Sequence, residues 1–191
     1  MNKNLLARMI FQTAHLTREF KLRSGQISNE YFDKYLFESN PKILSEIVEQ
    51  MSTNIPVGTE ALAGLEMGGI PIATALSLKT GLPVVFIRKK AKEYGTCKLA
   101  EGTEIENKRV CVIEDVVTTG GQIILSVNEM RKLGAKIENV MCVILRDPKR
   151  YEYLGKEGLK LTPLLTMDEL KAAAGKCATN YQYFNASVLP R

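Results

Sequence analysis

The sequence predicts an α/β fold, a parallel doubly wound sheet with helices on its faces. Three observations carry that expectation. Short Val/Ile-rich runs at Pro83–Ile87, Arg109–Glu114 and Val140–Leu145 alternate with longer segments whose apolar residues recur at helical spacing. Proline and glycine stand at the joints: Pro71 near the start of one helical pattern, Gly134 just past the end of another. Finally, 191 residues at 45% hydrophobic suffice for one domain with a proper core.

Taken in order, Leu5–Leu16 reads as a helix through Leu5, Leu6, Met9, Ile10 and Leu16. Phe20–Phe32 reads as a hairpin or two short strands. Ile43–Met51 is an amphipathic helix, Ala61–Leu65 a short buried strand and Pro71–Lys79 a helix. Strand Pro83–Ile87 leads into a long loop that lasts until strand Arg109–Glu114. Helix Gln122–Leu133 and strand Val140–Leu145 follow, with Leu159–Leu165 as a possible edge strand and Met167–Ala174 as a last helix. No repeat, linker or low-complexity tract interrupts the chain. One domain over 1–191 is expected, with a small N-terminal hood from residues 1–40 and part of the C-terminal tail.

Composition narrows the classes. A charged fraction of 25% is ordinary for a soluble protein, and no stretch approaches the ~20 apolar residues of a membrane span. The start, MNKNLLARMIFQ, has an apolar patch broken by Arg8 and no small-residue cleavage site, so no signal peptide is expected. Cys97, Cys111, Cys142 and Cys177 are widely spaced with no CxxC, which argues against a disulfide framework or a metal site and for a cytoplasmic setting. Cys111 and Cys142 lie in apolar strands and are expected to be inert core thiols. The net charge of +5 could suit nucleic acid, but much of the excess falls between residues 88 and 98 and no nucleic-acid motif appears. Neither nucleic acid nor a membrane is an expected partner.

The most informative stretch is RVCVIEDVVTTGGQI, Arg109 to Ile123. A Val/Ile run ends in adjacent carboxylates, Glu114 and Asp115. A polar Thr/Gly loop follows, and then a helical pattern. Carboxylates accept hydrogen bonds from vicinal hydroxyls, and a Thr/Gly loop at a helix N-terminus offers N–H groups, hydroxyls and a positive dipole end to a phosphate. An Asp here could instead merely cap the helix. Buried adjacent carboxylates are costly without a bound partner, however, and open parallel sheets bind ligands at this edge. GxxxxGK[ST] and GxGxxG are both absent.

CVIEDVVTTGG resembles the phosphoribosyl-diphosphate (PRPP) motif of type I phosphoribosyltransferases. A second segment, RKKAKEYGTCKLAEG from Arg88 to Gly102, carries five basic residues against one acid in its first eleven positions. A charge run is usually a solvated turn, yet a long loop with Gly95 and Gly102 can also close over a site and bring cations to a departing diphosphate. RKKAKEYG is similar to the catalytic loop of orotate phosphoribosyltransferases, with Arg88, Lys89 and Lys92 at matching positions. FKLRSGQISNEYF, from Phe20 to Phe32, resembles the hairpin covering the orotate site in that family, and Arg23 stands where many members carry Lys. GLEMGGIPIA, from Gly64 to Ala73, is similar to the family's pyrophosphate loop. Arg146 ends a strand where the family places an arginine for orotate. The resemblance runs from about Phe20 to Arg146.

What the resemblance implies is an enzyme of type I phosphoribosyltransferase fold that moves 5-phosphoribosyl from PRPP to orotate. Glu114 and Asp115 would hold the ribose hydroxyls, while Val116, Val117, Thr118, Thr119, Gly120, Gly121 and Gln122 wrap the 5-phosphate. Arg88, Lys89, Lys92 and Tyr94 would meet PRPP from the basic loop, with Lys92 and Asp115 the catalytic pair. Glu66, Met67, Gly68 and Gly69 would form the diphosphate loop. Arg23, Tyr31, Phe32, Thr118 and Arg146 would line the orotate site. The resemblance also implies Mg²⁺ carried by PRPP and a homodimer whose catalytic loop is shared across subunits. Two departures stand out. Met67-Gly68 occupies a place where many members have Lys, which makes diphosphate contacts there mainly backbone. Tyr94 replaces a frequent His, and His15, the only histidine, is expected to pack or lie at the surface. A transferase for another base, or a PRPP-sensing regulator, would retain the acidic pair; the hairpin and Arg146 favour orotate.

Overall fold

The computed structural model describes residues 1–21, 25–89, 99–147 and 152–175. Six strands form the central sheet: β3 (Ala61–Leu65), β4 (Val84–Ile87), β5 (Ala100–Gly102), β6 (Arg109–Val117), β7 (Lys136–Leu145) and β8 (Lys160–Thr166). Their order is β5-β4-β3-β6-β7-β8, and every neighbouring pair is parallel except β4 with β5. The mixed α/β architecture and its mainly parallel sheet are those expected from the alternating pattern. A separate antiparallel pair precedes them, β1 (His15–Lys21) with β2 (Ile27–Phe32), in the register His15↔Phe32 and Lys21↔Ile27.

Helices α1 (Lys3–Ala14), α2 (Lys34–Glu38), α3 (Pro41–Ser52), α4 (Gly69–Thr80), α5 (Gly121–Lys132), α6 (Glu152–Lys156) and α7 (Met167–Gly175) complete the described chain. Two apolar clusters sandwich the sheet. On one face α1, α3, α4 and α7 bring Leu6, Ile10, Ile47, Leu76 and Leu170 against Leu62, Ile113 and Met141. On the other, α5 and α6 bring Ile123, Val127 and Leu154 against Ala63, Val112 and Cys142. The alternation along β6, with Cys111 and Ile113 to one side and Val110 and Val112 to the other, is the period of a strand covered on both faces. Each fully buried Leu or Ile contributes roughly 1.5–3 kcal/mol by leaving water. Cys111 and Cys142 are free and buried, and burial pushes the Cys111 thiol up to about 12 and the Cys142 thiol higher still. Cys97 and Cys177 lie outside the described residues.

Several boundaries move for local reasons. Helix α1 ends at Ala14, so Leu16 belongs to the hairpin, whose register starts one residue earlier. Helix α3 starts at Pro41, because Asn40 caps it by accepting from the Lys42 and Ile43 N–H groups at 3.1 and 3.2 Å. Strand β6 runs on to Val117, since Val116 and Val117 still pair with Ile144 and Leu145 of β7. The acidic pair is therefore inside the strand, not after it. Three short elements carry too little period to be read from sequence: α2, α6 and β5. Of these, β5 falls within the stretch expected to be all loop.

Candidate functional site

The chain leaves β3 towards β4 on one side and returns to β6 on the other. The crevice above β3 and β6 is thus where the direction of winding reverses, the place where open parallel sheets bind ligands. Two helix N-termini face it in sequence, α4 directly after β3 and α5 after β6. Both are capped by glycine, Gly68 and Gly120, and neither cap residue has a side chain to satisfy the free N–H groups. These are the conditions under which a helix end attracts an anion.

Gly120 sits at φ 77°, a left-handed conformation that glycine adopts freely, and Leu154 packs beneath it. The turn leaves Thr118, Thr119, Gly121 and Gln122 exposed in front of α5. Val116 is half-buried and Val117 buried in β6. After β3, the Glu66–Met67 peptide is cis, Met67 is exposed, and Gly68 and Gly69 are buried. The Glu66 carboxylate accepts the Lys89 N–H at 2.9 Å, and Arg88 N–H donates to Leu99 O at 3.0 Å. The turn after β3 is therefore tied to the end of the segment that leads from β4 into the basic run. Lys92 and Tyr94 lie outside the described residues, as does Arg23.

Asp115 has no exposed surface. Its Oδ2 is ion-paired with Lys34 Nζ, and its Oδ1 accepts a hydrogen bond from Val116 N–H. Glu114 beside it is half-buried and accepts the Asp115 N–H at 3.2 Å. Glu38, on α2, is buried, and its Oε1 lies beside the Asp115 carboxylate next to Gly68. These carboxyl groups cannot all ionise out of water. Burial first, then the Asp115 charge, raises Glu114 to about 9 and Glu38 to about 8. For Asp115 burial acts upwards, but hydrogen bonds with Glu114, Lys34 and Glu38 and the Lys34 charge hold it below its ordinary value. Lys34 loses by burial and gains more from Asp115, so it stays above its usual range. The cluster holds one ionised carboxylate, Asp115, against one ammonium.

That arrangement gives a signed pH dependence. Glu38 and Glu114 bind protons in the folded chain that the unfolded chain releases near 4.5. Their contribution to stability is complete below that value and is lost as pH rises through about 8 and about 9. Thermal unfolding should show the melting temperature declining by several degrees between pH 5 and pH 9. Replacing Glu38 with Gln should flatten part of the slope. A melting temperature level across this range would contradict the assignment of neutral carboxyls.

Beside the acidic pair, a cavity of about 530 Å³ opens between the N-terminal elements and the sheet edge. Tyr31, Phe32, Thr118 and Arg146, four of the residues expected at an orotate site, all line it. Arg146 is placed by β7, where its N–H donates to Val117 O at 2.8 Å. Lys34, Lys171 and His15 line the cavity too and were not identified from the sequence. His15 stacks on Phe11 with ring centroids 4.5 Å apart, and its Nε2 lies 2.9 Å from Glu30 Oε2. The signal for Lys34 was present but short: Asp33 accepts the Tyr35 N–H at 3.1 Å, an N-cap for a helix of one turn.

A family model described as "Phosphoribosyl transferase domain" matches residues 30–161. An orotate phosphoribosyltransferase of Nocardioides sp. is 49% identical over 168 residues, spanning 88% of this chain and 94% of its own. That of Methanocella arvoryzae is 41% identical over 166 residues, spanning 86% and 95%. Among solved structures, Mycobacterium tuberculosis orotate phosphoribosyltransferase in complex with PRPP superposes with a TM-score of 0.75 at 25% identity, over 88% of this chain and 98% of that one. The fold and the site thus define a phosphoribosyltransferase. Within that class, the chain belongs to the orotate phosphoribosyltransferase family.

Proposed function

We propose that the crevice above β3 and β6 transfers the 5-phosphoribosyl group of PRPP to N1 of orotate, giving orotidine 5′-phosphate and diphosphate in pyrimidine nucleotide synthesis. The observation that supports this most directly is the convergence of two helix N-termini without side-chain caps and a buried carboxylate beside a cation-lined cavity. PRPP has two phosphate ends separated by a ribose, and the crevice offers a matching series of groups.

In this reading the N–H groups at the start of α5, with Thr118, Thr119, Gly120, Gly121 and Gln122, hold the 5-phosphate. Glu114 and Asp115 accept hydrogen bonds from the ribose hydroxyls. The turn Glu66-Met67-Gly68-Gly69 and the start of α4 meet the diphosphate through backbone groups. Arg88, Lys89 and Lys92 neutralise the leaving group, Tyr94 contacts it, and Mg²⁺ enters as part of the substrate, on phosphate oxygens and water. The anomeric carbon becomes cationic as its bond to the diphosphate breaks. Asp115 stabilises that charge, and Lys92 stabilises the charge that builds on the diphosphate. Orotate lies in the cavity between Tyr31, Phe32 and Thr118, with the planar Arg146 guanidinium paired to its carboxylate or a ring carbonyl, and Arg23 is assigned to it by the family resemblance alone. Orientation and electrostatics do most of the work, because the protein forms no bond to the substrate.

The same reading makes residues 1–191 one phosphoribosyltransferase domain, since the N-terminal elements share an apolar cluster with the sheet. It also makes the protein a cytoplasmic homodimer with the basic loop acting in the neighbouring subunit's site. Among the described residues no helix is long and apolar enough to cross a membrane. The direct test is loss of orotate absorbance with PRPP and Mg²⁺, abolished in Lys92→Ala or Asp115→Ala. Unchanged absorbance with hypoxanthine, adenine or uracil consumed instead would reassign the base. For the dimer, mixing Lys92→Ala with Asp115→Ala chains should recover about a quarter of wild-type turnover if subunits exchange at random and loops act in trans. No recovery would show that each chain supplies its own loop.

A further inference from the structure

Helix α2 is too short to contribute much stability by itself, yet it sends two titratable side chains to one buried carboxylate. Lys34 and Glu38 are four residues apart and so lie on one face of the turn. Lys34 Nζ pairs with Asp115 Oδ2. Glu38 Oε1 lies in the same place: a Cβ built on Gly68 would be 1.6 Å from Asp115 Oδ2 and 2.8 Å from Glu38 Oε1. Glu38 Oε1 is shut off from water and accepts no hydrogen bond. An ionised Glu38 would have that oxygen unsatisfied against a second negative charge, whereas a protonated one can donate to Asp115.

We propose that Lys34 and Glu38 are positioning residues for Asp115, gripping its carboxylate from the N-terminal hood with an ammonium on one side and a carboxyl O–H on the other. The inference rests on Asp115 being the ribose-binding carboxylate argued above. Exposure supports the division of labour. Asp115 is 0% exposed and its charge cannot be solvated, while the Lys34 side chain is 32% exposed and reaches it from the cavity wall. The cation that compensates Asp115 is therefore also one of the cations facing the base site. With Lys34 paired to it on one side and Glu38 beside it on the other, the carboxylate is held in one orientation, which is what ribose recognition by a fixed acceptor requires. Gly68 approaches the same carboxylate so closely that a Cβ at this position would overlap it.

The test is calorimetric affinity for PRPP with Mg²⁺, measured beside orotate turnover and melting temperature, for Lys34→Met, Lys34→Arg, Glu38→Ala and Glu38→Gln. Gln at position 38 can still donate to Asp115 through its amide, and Arg at 34 keeps the charge. Glu38→Ala and Lys34→Met should weaken PRPP binding about tenfold or more. Glu38→Gln should stay within about threefold of wild type, and Lys34→Arg should recover part of the loss, at matched melting temperatures. Equal affinity in wild type, Glu38→Ala and Lys34→Met would overturn the proposal, as would Glu38→Gln failing as badly as Glu38→Ala. A wild-type chain that does not bind PRPP would instead sink the reading of the site. PRPP binding without orotate turnover would sink only the choice of base and leave the positioning test intact.

Discussion

Asp115→Asn is expected to lower kcat/KM by about 10²-fold or more, a loss of about 2.7 kcal/mol in transition-state stabilisation. Asp115 is the carboxyl of the cluster held below its ordinary value, and in the proposed reaction it meets the atoms that become cationic when the diphosphate leaves. An amide keeps the shape and removes the charge. Glu114→Gln should be far milder, within about tenfold, because Glu114 is already neutral up to about 9 and an amide replaces a carboxylic acid. The fold should survive either change: Lys34, left without its partner, is a third exposed and can turn to water. Steady-state kinetics on both variants, with melting temperatures as a check, decides it. If Glu114→Gln is the more damaging of the two, the assignment of the ionised group is reversed.

Gly68→Ala should be the most damaging glycine-to-alanine change among the described residues. Gly68 has φ −71° and ψ −26°, a backbone any residue adopts, so no conformational penalty is involved. The obstacle is space. The added Cβ would fall 1.6 Å from Asp115 Oδ2 and 2.5 Å from its Cγ, and the Asp115 side chain is buried with Lys34 and Glu38 against it. Something must move, and what moves is the acidic pair or the start of α4. We expect PRPP turnover to fall at least about 10²-fold, with a stability loss of roughly 1–3 kcal/mol. Gly155→Ala is the control. Nothing lies within 4 Å of its Cβ position, so alanine in α6 should leave turnover intact and raise stability by up to about 1 kcal/mol. Near-normal turnover in Gly68→Ala would mean that the turn is looser than its packing indicates.

The same two positions separate what a sequence discloses from what it conceals. Asp115 was visible as the end of a Val/Ile run followed by Thr118, Thr119 and two glycines, a pattern complete within a dozen residues. Gly68 was visible only as part of a turn. That its hydrogen faces Asp115 depends on β3 and β6 lying side by side, with Ala61 to Gly64 in register with Val110 to Ile113. Lys34 and Glu38 were not noticed at all. The residues of α2 give one turn of helix, whose apolar members Tyr35, Leu36 and Phe37 run consecutively and so show no period. The extension of β6 to Val117 was hidden for a related reason: carboxylates at 114 and 115 look like the end of a strand until β7 supplies the pairing partners.

By itself the sequence determined the alternation of strands and helices, the acidic pair, the Thr/Gly turn and the arginine after β7. Each is set by propensity, period or capping among neighbours along the chain, and such signals survive without knowledge of the fold. The tertiary structure alone decided which carboxyl stays ionised, which lysine compensates it, and that Lys34, Lys171 and His15 line the cavity beside Tyr31, Phe32 and Arg146. Those outcomes depend on desolvation and on contacts between segments far apart in sequence. The charge on Asp115 is sustained only because packing brings Lys34 and a neutral Glu38 to it out of water.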